Sequence, residues 1–76
     1  MKFLEKYGFS NDEITHFIDT TADVVVDALE NTQKLVKSNA DYLSDLGVRN
    51  FKEIFQNYYE LFLLDHSNFV GIFNKY

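Results

Sequence analysis

Punctuation is what this chain lacks. Proline is absent, and glycine occurs only at positions 8, 47 and 71. Strands and hairpins need turn residues at short intervals, and no glycine-containing pair joins two alternating apolar runs here. Helix starts, in contrast, are written three times. Ser10-x-x-Glu13, Asp27-x-x-Glu30 and Asn50-x-x-Glu53 each set a capping side chain three residues ahead of a glutamate. In that spacing the first side chain accepts from the N3 amide and the glutamate reaches back to the N-cap amide.

Apolar spacing agrees with those starts. Ile14, Phe17 and Ile18 give a short stripe after Ser10. Leu29, Val36, Ala40, Leu43 and Leu46 predict one long helix running from Asp27 to about Leu46, stopped by Gly47 in the left-handed conformation. Phe51, Ile54, Phe55 and Tyr58 repeat the short stripe after Asn50. A last segment opens at Asp65 and is apolar on more than one side. Val24-Val25-Val26 is β-branched, but no second strand exists to pair it, so it reads as a helical turn or the lead-in to the long helix. The expectation is an all-α fold of four or five helices in a single small domain, 1–76.

The halves 1–40 and 41–76 look alike. Phe3-Leu4-Glu5-Lys6-Tyr7-Gly8-Phe9-Ser10-Asn11 lies over Tyr42-Leu43-Ser44-Asp45-Leu46-Gly47-Val48-Arg49-Asn50, and one inserted residue brings Ile14 over Ile54. Phe69 to Tyr76 resembles the opening of a third copy, as though the chain were an excerpt. Units of this length point to about two stacked helix-loop-helix repeats.

The run Phe3-Leu4-x-x-Tyr7-Gly8-Phe9-Ser10-x-x-Glu13-Ile14 with Tyr42-Leu43-x-x-Leu46-Gly47-Val48, followed by Tyr58-Tyr59-Glu60-Leu61-Phe62-Leu63-Leu64-Asp65, resembles the repeat of the mitochondrial transcription termination factor family. The resemblance covers nearly two units. It implies a helical-repeat fold and, as a second functional reading, nucleic-acid binding. The family's helix-opening proline is missing from both units, with Tyr59 at its place in the second, and no nucleic-acid contact carries over to a position here.

Composition narrows the function classes. Twelve acidic residues against seven basic ones give a net charge of −5, the wrong sign for wrapping generic nucleic acid or an anionic bilayer. Without cysteine there is no disulfide, thiolate zinc site or thiol nucleophile. The longest apolar run, Leu61 to Leu64, is far short of the roughly 20 residues that span a bilayer. The N-terminus carries Lys2, Glu5 and Lys6 and no apolar stretch of signal-peptide length, so a soluble cytoplasmic protein is expected.

No constellation calls for catalysis, and no cofactor or metal is expected. Asp12, His16 and Asp19 share a helix face without a third strong ligand for zinc, and His66 sits in a first helical turn. Asp19, Asp23, Asp27 and Glu30 form an acidic line that reads first as a solvated face and second as a dock for a basic protein. Lys34, Lys37, Arg49 and Lys52 are the nucleic-acid candidates, with Glu30–Lys34 and Lys37–Asp41 spaced to neutralise part of that charge.

The informative excess is aromatic, eight Phe and five Tyr. Most rings belong in a core, but so small a helical domain is expected to leave some outside. Tyr58, Tyr59, Phe69, Ile72, Phe73 and Tyr76 are the candidate partner-binding set. The reading is a non-catalytic binding module that docks another protein or a second copy of itself.

Overall fold

A computed structural model describes residues 1–74. The chain runs through a first 3-10 helix (Lys2–Tyr7), α1 (Asn11–Thr20), α2 (Asp23–Asn31), α3 (Gln33–Asp45), α4 (Phe51–Tyr58), a second 3-10 helix (Tyr59–Leu63) and α5 (His66–Phe73). There is no strand among the described residues. The all-α expectation holds, with five α-helices and two 3-10 segments.

The start of α1 follows from its sequence alone. Ser10 Oγ accepts from the Glu13 amide at 3.2 Å and Glu13 Oε1 accepts from the Ser10 amide at 2.9 Å, closing the capping box. At the other end Thr20 Oγ1 donates to the His16 carbonyl at 2.8 Å, and Thr21 turns into extended backbone. Val24, Val25 and Val26 then enter α2 from its first turn, as the helical reading had it. Burial of Val26 and Leu29 outweighs the few tenths of a kcal/mol each β-branch costs in a helix.

The single long helix is not formed. α2 ends at Asn31 and α3 begins at Gln33, with Thr32 at φ −117°, ψ 36° between them. Thr32 Oγ1 and its amide both turn back to the Ala28 carbonyl, at 2.7 and 3.1 Å. Asp27 therefore lies inside α2 and caps nothing. Asn50 does occupy the N-cap position of α4, but without the side-chain capping bond.

Gly8 and Gly47, aligned between the halves, both adopt positive φ, 93° and 79°. At Gly8 the backbone closes 5→2 and 6→1 style, with amides of Gly8 and Phe9 donating to the Glu5 and Leu4 carbonyls. Leu4 and Leu43 are both fully buried, as are Ile14 and Ile54 nearly so. The likeness is local, however: Leu4 sits in a 3-10 helix and Leu43 near the end of α3. A Cβ at either glycine would meet no atom within 4 Å. Gly8→Ala or Gly47→Ala should thus cost only the left-handed backbone penalty, about 1–2 kcal/mol each, measurable as a lower urea midpoint at unchanged slope.

The core is an aromatic chain. Tyr7 stacks on Phe51 at 5.1 Å between ring centroids, Phe55 meets Phe62 at 4.9 Å, Phe62 meets Phe69 at 5.0 Å and Phe69 meets Phe73 at 4.7 Å. Phe9 and Phe17 both close on Phe55. Seven of the eight phenylalanines are buried, with Phe3 packed against the cluster. Phe69 and Phe73, expected outside, are thus enclosed, whereas Tyr58 stays exposed as expected. Its surface is 4874 Å², against about 4,800 Å² for a free-standing folded chain of 8.9 kDa.

One polar side chain lies inside. Asn39, fully buried on α3, donates from Nδ2 to the Phe62 carbonyl at 3.0 Å and the Leu64 carbonyl at 2.9 Å. Its Oδ1 lies 2.9 Å from His66 Nδ1. Since Oδ1 can only accept, the imidazole donates, and every polar atom of the amide is satisfied. Asn39 thereby ties the joint between the second 3-10 helix and α5 to α3.

Candidate functional site

The C-terminal aromatic set is not one surface. Phe69 is fully buried and Phe73 is 7% exposed, both facing inward against α3 and the second 3-10 helix rather than a partner. Tyr59 is half-buried with its ring edge-on to Phe17 at 5.5 Å. Only Tyr58 and Ile72 stand out, 59% and 48% exposed. Tyr76 lies outside the described residues.

The basic set is also divided. Lys52 Nζ donates to both carboxylate oxygens of Glu13 at 3.0 Å. Arg49 lies exposed just before α4, whereas Lys34 and Lys37 ride on α3. Lys37 is set beside Asp41, and its charge helps keep that carboxyl ionised. Glu30 bonds the amino group of Met1 at 2.6 Å, so it serves the N-terminus.

A different feature joins some of these residues. Glu13 on α1 meets Lys52 on α4, and Phe17 on α1 meets both Phe55 on α4 and Tyr59 at the start of the second 3-10 helix. Together these contacts make a seam between α1 and α4. A cleft of about 570 Å³ opens at the start of this seam, lined by Tyr7, Glu13, Val48, Arg49, Phe51 and Lys52 among others. A second of about 220 Å³ lies further along, between His16, Phe17 and Thr20 on one side and Tyr59 on the other. Gln56 borders both. The seam thus gathers Arg49, Lys52 and Tyr59 from the sequence-based candidates and leaves out Lys34, Lys37, Ile72, Phe69 and Phe73.

Its electrostatics are balanced. The Ser10 backbone amide, then the Lys52 ammonium, hold the Glu13 carboxyl below its ordinary range. Nearby, Lys6 first and Tyr7 second do the same for Asp41, at 2.8 and 2.6 Å. Burial, reinforced by Asp41, pushes the Tyr7 hydroxyl up, so it remains a donor. Carboxyls with folded values below their unfolded ones stabilise above the unfolded pKa, and that stability is lost as pH falls. Urea midpoints should therefore drop as pH falls through and below about 4, and Glu13→Gln should flatten the profile. An unchanged slope in that variant would contradict the assignment.

Sequence reasoning missed the seam because Glu13 reads as a cap and Lys52 as an unpaired cation when each is seen on its own helix. The Thr20 hydroxyl beside the second cleft is already engaged with a carbonyl, and His16 and His66 sit on separate elements. No group of three His, Asp or Glu side chains is placed to hold a metal ion among the described residues. No helix among them is long and apolar enough to cross a membrane. The chain matches no family model, no curated protein and no solved structure.

Proposed function

We propose that this protein is a non-catalytic helical binding module that acts in the cytoplasm by seating a segment of another protein along the α1–α4 seam. The observation that carries this reading is the pair of clefts that Gln56 borders, the first lined by Tyr7, Val48 and Phe51 together with Glu13, Arg49, Lys52 and Glu53, the second by Phe17 and Tyr59 with His16 and Thr20. Such a lining suits a peptide, whose backbone and side chains offer apolar and polar groups together. A second copy is the weaker occupant, because the surface area is already that of a free-standing chain. Nucleic acid is weaker still. The Lys52 charge is spent on Glu13, and the chain as a whole carries −5.

The test is a peptide library selected against the intact protein, with the bound site mapped by NMR amide shifts. Selected peptides should move amides of α1 and α4, and Gln56→Lys with Tyr59→Ala should lose them while keeping the helical spectrum. Shifts confined to other elements would overturn the seam. Two controls separate the other occupants. A concentration-dependent dimer by sedimentation would favour self-association. DNA or RNA binding that weakens steeply between about 50 and about 200 mM salt would favour a fragment of a transcription-termination-factor-like repeat protein.

A further inference from the structure

We draw no further inference here: the strongest candidate, the exposed carboxylates of Asp23 and Asp27 one turn apart on α2 beside the exposed Val24, is an acidic cluster for which nothing in the structure shows what covers it.

Discussion

Asn39→Asp is expected to be among the most damaging single substitutions in this chain, although it alters one atom's chemistry and almost no volume. The amide Nδ2 faces the carbonyls of Phe62 and Leu64 at 3.0 and 2.9 Å with the side chain fully buried. A carboxylate oxygen there would confront two acceptors, and a protonated carboxyl has one hydrogen to serve both. Each unsatisfied buried acceptor costs about 1–3 kcal/mol, and a buried charge more. The loss should be about 3 kcal/mol or greater by urea denaturation, and larger than for Asn39→Ala, which removes the donor without adding an opposing oxygen. Equal losses for the two variants would show that the amide only fills space. His66→Ala should cost less than either, since it leaves both donations from Asn39 in place.

The second large effect is expected at Phe55. Its ring, fully buried on α4, lies against those of Phe9, Phe17, Phe51 and Phe62 at 4.9–6.5 Å between centroids. Its contacts reach Phe17 on α1 and Phe62 on the second 3-10 helix. Phe55→Ala removes the transfer free energy of the ring and leaves a cavity the neighbours only partly fill, about 3–5 kcal/mol in all. Whole-domain stability for a chain of this size is about 4–11 kcal/mol, so the variant should be largely or partly unfolded at 37 °C. Phe55→Leu keeps most of the volume and should cost much less. Near-equal stability of Phe55→Ala and the parent by calorimetry would mean that the aromatic chain is not the centre of the core.

What could be read before any coordinates was local. The Ser10–Glu13 box needs only four consecutive residues, and it forms as written. Gly47 adopts the left-handed stop expected after Leu46, and Gly8, aligned with it, is left-handed as well. The reading failed wherever the deciding contact was distant. Asp27 matches the capping pattern, but Val26 and Leu29 are buried on the same side, so the helix starts earlier, at Asp23. Thr32 carries no breaker signal of its own. The chain breaks there with α2 and α3 both packed on the second 3-10 helix, a segment about thirty residues away. Phe69 and Phe73 show the spacing of an apolar face, and spacing cannot say whether the chain itself or a partner covers it.

The candidate site divides in the same way. Arg49, Lys52 and Tyr59 were legible as chemistry-bearing residues, yet their grouping with Gln56 and α1 was not. Lys52 looked like a free cation until Glu13 appeared 3.0 Å from it. By itself the sequence determined that this protein is helical, where α1 starts and where the left-handed stop at Gly47 falls, because those depend on interactions within a turn or two of helix. Only the tertiary structure decided which rings are inside, where the middle helix breaks and which two helices form a seam. Those outcomes depend on contacts between residues far apart in the chain, whose free energy exists only once the whole core has closed.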